Sequence, residues 1–336
     1  MQGQATWIRK VEIKMKKSDL KIVFLGTPEF AVCSLDKICN AGFNVVAVVT
    51  MPDKPAGRGH HMYQSPVKEY ALAHNLPVLQ PVNLKDESFV EKLRSYSADI
   101  FVVIAFRMLP RVVWEMPPLG TFNLHASLLP DYRGAAPINW AVINGEKRTG
   151  VTTFFLKHEI DTGDIIAQQA IDIADDENVG SVHDRLMELG ASLTLDTLNQ
   201  IVAGTLKTVP QDTLIKDGSE PKAAPKIFKE TCKIDFNKPA RQVYNLIRGL
   251  SPYPAAYLEI TDECNPAPRQ MKVYEAEIVE PRGELIPGAI EVCRDSIVID
   301  AVDGRISLKE IQIQGKKRMA VADFLRGAKL VEPKLV

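Results

Sequence analysis

The sequence predicts a doubly wound α/β domain built on a mostly parallel sheet, followed by a small β-barrel domain. Three observations predict it. From Lys21 to about Ile173, short β-branched runs alternate with amphipathic stretches, as expected of strands joined by helical crossovers. Residues 205–225 then carry Gly218, Pro210, Pro221 and Pro225 among polar side chains, which reads as an interdomain linker. Beyond them a single helical stretch is followed by short strand-like runs separated by turn residues. The length of 336 residues fits two domains of about 100–200 residues each.

Residues 1–17 are basic, but they lack the apolar centre and small-residue cleavage site of an export signal. They read as a disordered extension, and the in-frame Met15 offers an alternative start. The α/β domain is expected over residues 18–204. Its strands are expected at Lys21–Leu25, Val45–Thr50, Ile100–Ala105, Thr121–His125, Val151–Phe155 and Ile165–Ile171. Ile100–Ala105 is apolar almost throughout, as a strand covered on both faces should be, and is expected at the centre of the sheet. Helices are expected at Glu29–Cys39, Ser65–His74, Asp86–Ser97, Pro137–Asn144 and Ser181–Ala203, the last with Gly190 as a weak point. In residues 226–336 the expected elements are a helix at Pro239–Gly249 and strands at Ala256–Ile260, Lys272–Ile278, Gly288–Val292, Ser296–Ala301 and Arg305–Ile313.

Composition narrows the function classes. The hydrophobic and charged fractions, 46% and 25%, are those of a water-soluble globular chain. No apolar run reaches the ~18 residues needed to span a bilayer. Cys33, Cys39, Cys232, Cys264 and Cys293 are odd in number and form no CxxC pair, which points to free thiols in a reducing, cytoplasmic setting. The net charge is −1, with +2 on residues 223–336 and −3 on the remainder. An RNA partner would have to be attracted by local basic patches. No isolated apolar stripe asks for a second copy, so a monomer is expected.

The segment FNLHASLLPDYRGAAPINW, Phe122–Trp140, begins as a strand and breaks into a loop bearing Gly and Pro. Asn123 and His125 therefore fall at the carboxyl end of a strand, where ligands gather in open α/β sheets. Two residues apart on an extended chain, they share a face, with α-carbons roughly 6.5–7 Å apart. A neutral amide N–H suits a developing oxyanion, and an imidazole suits proton transfer near neutrality. Downstream, EIDTGDII sets Asp161 and Asp164 on either side of a Thr-Gly turn. Asp161 is the candidate to orient His125 or to order a proton-carrying water, and Asp164 to cap the turn. By spacing alone a strand-end His is more often structural, and an Asp beside Gly is more often turn chemistry.

The run HASLLPDYRGAAP, His125–Pro137, resembles the signature of the folate-dependent formyltransferases. Asn123, His125 and Asp161 match that family's catalytic Asn, His and Asp in order and separation. The similarity extends from about Lys21 through the linker and more loosely to the end. It implies a Rossmann-like formyltransferase domain, a 10-formyltetrahydrofolate donor and an amine acceptor. Ser127, Leu128, Leu129 and Pro130, with Phe106, Arg107, Met108 and Leu109, would hold the folate. The loop Ala105–Pro110 departs from the family in having Phe106-Arg107 where an aromatic-Gly pair is common, and Glu159-Ile160 stand where Gly-Leu is usual.

Two segments resemble the branch whose acceptor is initiator methionyl-tRNA. The loop Met51–Ala71 would bring Lys54, Arg58, His60 and His61 to the acceptor end. The stretch Lys226–Tyr257 resembles the opening of that branch's C-terminal domain and implies an OB-like barrel. There Lys316, Lys317 and Arg318 form the densest basic cluster, either an RNA contact or a solvated turn after Gly315. A sugar-nucleotide amine is the competing acceptor, and a non-catalytic RNA-binding protein is the rival from another class. Gly26-Thr-Pro is not a full GxGxxG fingerprint, Cys33 has no base in view, and His60-His61 lacks ligand partners, so neither a dinucleotide nor a metal is expected.

Overall fold

The computed structural model describes residues 15–56, 61–215, 220–328 and 330–336. They fall into two compact units, Met1–Arg133 with Gly150–Ala170 and Asp184–Lys222, and Gly134–Thr149 with Ile171–His183 and Ala223–Val336. Residues 1–14 of the N-terminal stretch lie outside the described residues. Met15 N–H donates to the Val202 carbonyl at 3.1 Å, and Lys17–Asp19 form a short 3-10 turn.

The first unit is organised by a seven-stranded sheet. Its strands run, edge to edge, Ile165–Asp172, Arg148–Phe155, Thr121–His125, Ile100–Ile104, Lys21–Gly26, Asn44–Val49 and Val78–Leu79. Ile100–Ile104 is fully buried and stands fourth of the seven, in the middle as expected. Pairing is parallel from Thr121–His125 to Val78–Leu79, whereas Arg148–Phe155 runs antiparallel to Thr121–His125. The parallel part alternates its side chains between two apolar layers. Val23, Leu25, Phe101 and Val103 pack with Phe89 and Leu93 of the helix Glu87–Ser95 on one face.

Local chemistry explains where the helices begin. Ser65 caps Pro66–Ala73 by accepting from the Lys68 amide, and Asp86 caps Glu87–Ser95 by accepting from the Ser88 amide. The helix Val179–Ala203 tolerates Gly190 for a reason of packing: a Cβ there would stand 2.7 Å from Leu124 Cδ2. Glycine lets the helix lie directly against the strand that carries Asn123 and His125. Among the elements without a clear sequence signal are the edge strand Val78–Leu79, the short helix Arg111–Trp114 and the small hairpin Lys54–Ala56 with His61–Tyr63.

The second unit contains an antiparallel sheet curled into a nearly closed barrel. Its strands follow the order Ile290–Val292, Ile297–Asp300, Arg305–Ile313, Asn265–Val279, Ala256–Asp262 and Lys334–Leu335, with Met319–Ala320 paired to Arg305–Ile313. The helix Ala240–Leu250 places Ala240, Val243, Ile247 and Leu250 in the barrel core, at the 3–4 residue spacing of one helical face. Its other side meets the helix Pro137–Ile143, where Gly249 has no room for a Cβ, which would stand 2.5 Å from Ile143 Cγ1. The helix Val321–Gly327 was not foreseen; Val321 and Phe324 join the same core.

Candidate active site

Asn123 and His125 lie where the sequence placed them, at the carboxyl end of Thr121–His125, opposite Phe154 and Thr152 of the antiparallel neighbour. Asn123 is partly exposed, and its carboxamide meets no hydrogen-bond partner among the described residues. Its donors and acceptor are available to a ligand. His125 is only 7% exposed and rests edge-on against the Phe154 ring, with centroids 6.5 Å apart. Its Nε2 lies 2.8 Å from the Tyr132 carbonyl oxygen. A carbonyl only accepts, so this contact assigns the proton to Nε2 and leaves Nδ1 as the reactive nitrogen. Asp161 Oδ2 lies 3.8 Å from that Nδ1, too far for a direct hydrogen bond and close enough to pair with an imidazolium.

Two left-handed backbone positions shape the site. Tyr132, at φ +62°, turns its carbonyl toward His125, and Asp161, at φ +55°, sits in the turn that follows Arg148–Phe155. Asp164 serves the turn itself: its carbonyl accepts from Phe155 N–H at 3.0 Å, and its carboxylate pairs with Lys157 at 2.7 Å. The carboxylate is thus used in an ion pair at the turn, where a side-chain cap of the turn was expected.

The loop after His125 is held from below by Thr152, which is fully buried. Thr152 Oγ1 donates to the Ser127 carbonyl at 2.6 Å and accepts from the Leu129 amide at 3.2 Å and from Gln168 Nε2 at 2.9 Å. Gln168 also donates to the Leu129 carbonyl at 2.8 Å, and Ser127 Oγ donates to the Asp131 carbonyl at 2.7 Å. Thr152→Val keeps the shape and removes the hydroxyl, leaving buried backbone groups unpaired. We expect about 1–3 kcal/mol of lost stability, read as a lower urea midpoint at unchanged slope.

Of the residues expected at the folate, Ser127 and Leu129 are buried in this loop, while Leu128 and Pro130 are partly exposed. In the loop that follows the neighbouring strand Ile100–Ile104, Phe106 is partly exposed, Met108 is 72% exposed and Leu109 is buried. Arg107 is committed to the fold: Nη1 donates to the Val82 carbonyl at 2.7 Å and Nη2 to the Pro81 carbonyl. Arg107, Met108 and Leu109 line a cavity of about 580 Å³ with Asn83, Lys85 and His158.

A family model described as formyl transferase matches residues 20–198, and one described as formyl transferase, C-terminal domain, matches residues 226–329. The chain belongs to the formyl transferase family. A protein of Bacteroides fragilis named methionyl-tRNA formyltransferase is 55% identical over 319 residues, 95% of this chain and 98% of its own length. Relatives of the same name from Phocaeicola vulgatus and Flavobacterium johnsoniae are 57% and 52% identical, covering 93% and 92% of the chain and 97% and 96% of their own lengths. Among solved structures, WlaRD, a sugar 3N-formyl transferase crystallised with dTDP and 5-N-formyl-THF, superposes with a TM-score of 0.62 at 21% identity, over 89% of this chain and 99% of its own. HypX from Aquifex aeolicus, in complex with tetrahydrofolic acid, gives 0.59 at 19% identity, over 90% of this chain and 46% of its own. At such identity the two structures share the fold.

The remaining residues singled out for this formyl transferase belong to the Met51–Ala71 segment and to the second unit. Arg58 and His60 lie outside the described residues, while Lys54 is exposed on the small hairpin whose second strand opens at His61. Lys316, Lys317 and Arg318 are exposed on the turn that follows Gly315, a glycine at φ +81°. Arg318 pairs with Glu310 and stacks 4.2 Å from the Tyr274 ring centroid, so its guanidinium is partly engaged. Cys33 bonds to Glu188 at 3.3 Å, and burial with that acidic neighbour pushes its thiol up to about 11, far from a nucleophile's range. Sequence reasoning missed Tyr132, Thr152, Gln168, Arg133 and Gln211 as supports of the site. Tyr132 and Arg133 lay inside the quoted motif His125–Pro137; the other three did not.

Proposed function

We propose that the chain transfers the formyl group of 10-formyltetrahydrofolate to the α-amino group of initiator methionyl-tRNA, giving N-formylmethionyl-tRNA for translation initiation. The observation that carries this reading is the near-complete, 52–57% identical match to relatives named methionyl-tRNA formyltransferase. The folate follows from the family and from structural relatives crystallised with tetrahydrofolic acid or formyl-THF. The setting is a reducing cytoplasm, and the working unit is a monomer.

In the mechanism we infer, the α-amine attacks the formyl carbon, and the carbonyl electrons move onto oxygen. The Asn123 amide N–H donates to that oxyanion. The proton shed by the attacking nitrogen passes to His125 Nδ1, and the Asp161 carboxylate stabilises the imidazolium. As the bond from the formyl carbon to N10 of the folate breaks, the same proton is delivered to N10, so His125 ends as it began. A neutral Asn suits the first role because it donates without competing for the proton. The ordered loop Ser127–Pro130 and the Phe106–Leu109 loop after the neighbouring strand would hold the donor. Lys54, Arg58, His60, His61, Lys316, Lys317 and Arg318 would hold the RNA through salt-sensitive contacts.

The test supplies purified protein with 10-formyltetrahydrofolate and either initiator methionyl-tRNA or an amino-sugar nucleotide. Formyl-methionine on the tRNA and no turnover of the sugar is the expected result. Turnover of the sugar nucleotide alone would transfer the chain to the other acceptor. Binding of tRNA with no formyl donor consumed would leave a non-catalytic RNA-binding protein.

A further inference from the structure

Gln211 is 1% exposed, although it stands in a polar stretch between the two matched family regions. A carboxamide offers two N–H donors and two acceptor lone pairs, and here all four are used. Nε2 donates to the Asp161 carbonyl at 2.8 Å and to the Gly163 carbonyl at 2.7 Å. Oε1 accepts from Arg133 Nε at 3.1 Å and from Nη2 at 2.7 Å. Two residues earlier, Val209 and Ile165 exchange backbone hydrogen bonds, both at 2.8 Å, which fixes the chain beside the same turn.

The grip falls on an unusual backbone. Asp161 adopts φ +55°, a left-handed conformation that is uncommon for a non-glycine residue although Asp enters it more readily than most, and the hydrogen bonds to the turn hold it there. The carbonyls gripped by Gln211 belong to Asp161 itself and to Gly163, so the grip acts directly on the backbone that aims the carboxylate. On its far side the amide is anchored to Arg133, which directly follows Tyr132, whose carbonyl holds His125 Nε2. One side chain thus ties the Asp161 turn to the end of the loop that orients the histidine.

We propose that Gln211 is a positioning residue for the Asp161–His125 pair, which it acts on through the Asp161 turn without touching substrate. This rests on the role given above to Asp161. Gln211→Glu is the sharpest variant, because it keeps the acceptor for Arg133 and removes both donors to the turn. Gln211→Met, which removes donors and acceptor together, is the second.

With wild type run alongside in the tRNA formylation assay, Gln211→Glu is expected to lower kcat roughly 10- to 100-fold while KM for folate and tRNA moves less than about threefold. The decisive comparison is the same substitution in an Asp161→Asn background. A residue acting through Asp161 should add less than about twofold there, whereas a general loss of folded enzyme would lower activity by the same factor in both backgrounds. Hydrogen exchange of residues 159–165 should also rise in both variants, a readout that stands even if the acceptor is not tRNA or a variant is inactive. Unchanged kcat, equal effects in the two backgrounds, or unchanged exchange in the turn would each overturn the proposal. An inactive wild type with faster exchange in the variants would fault the functional reading and leave the clamp standing.

Discussion

His125→Ala is expected to lower kcat for formyl transfer by roughly 10²–10⁴-fold, the usual contribution of a positioned general acid–base group. The geometry makes the effect large. Nε2 is engaged by the Tyr132 carbonyl, so Nδ1 is the nitrogen left for proton transfer, and Asp161 faces it at 3.8 Å. Alanine removes the proton carrier and with it the buried hydrogen bond to the Tyr132 carbonyl, so a stability cost of about 1–3 kcal/mol accompanies the loss. Asn123→Ala should be nearly as damaging, roughly 10²–10³-fold, because it removes an oxyanion donor. It should spare stability, since the Asn123 carboxamide meets no partner among the described residues. The two variants therefore separate by melting temperature while agreeing in kcat. A His125→Ala enzyme within tenfold of wild type would remove His125 from the mechanism.

Much of this site was legible in the sequence because it depends on period. A strand repeats every two residues, so Asn123 and His125 had to share a face, and a Gly/Pro-bearing loop had to end the strand there. The central position of Ile100–Ile104 was legible for a related reason: an unbroken apolar run has no solvent face. What escaped were features made by tertiary hydrogen bonds. Nothing in the local sequence at Gln211 distinguishes a buried clamp from a solvated polar side chain, and its partners lie 48–78 residues away. The Tyr132 carbonyl is backbone and carries no residue-type signal. Arg107 was expected only as part of the folate loop, and no local pattern reports that its guanidinium closes on the carbonyls of Pro81 and Val82. The antiparallel course of Arg148–Phe155 likewise depends on connections that strand propensity does not report.

Gly163→Ala is expected to be the most damaging single-methyl change near the site. A Cβ on Gly163 would stand 1.5 Å from the Phe155 carbonyl oxygen and 2.7 Å from its carbon, so no rotamer change relieves the clash, and the backbone itself must move. The movement falls on a crowded segment. Phe155 N–H is bonded to the Asp164 carbonyl, and Gln211 Nε2 grips the carbonyls of Asp161 and Gly163. Relieving the overlap therefore requires breaking some of these bonds or displacing Asp161, two residues before the new methyl. Displacement of a catalytic group by about 1 Å costs on the order of 10²-fold in rate, and overpacking a fixed interior site costs about 1–3 kcal/mol in stability. Steady-state kinetics with a thermal melt on the same preparation checks both. Retention of wild-type kcat by a Gly163→Ala protein with an unchanged melting temperature would mean that the turn is not the rigid holder of Asp161 inferred here. A lower melting temperature with full kcat would mean that the carboxylate tolerates the shift, and would weaken the role given to Asp161 in stabilising the imidazolium.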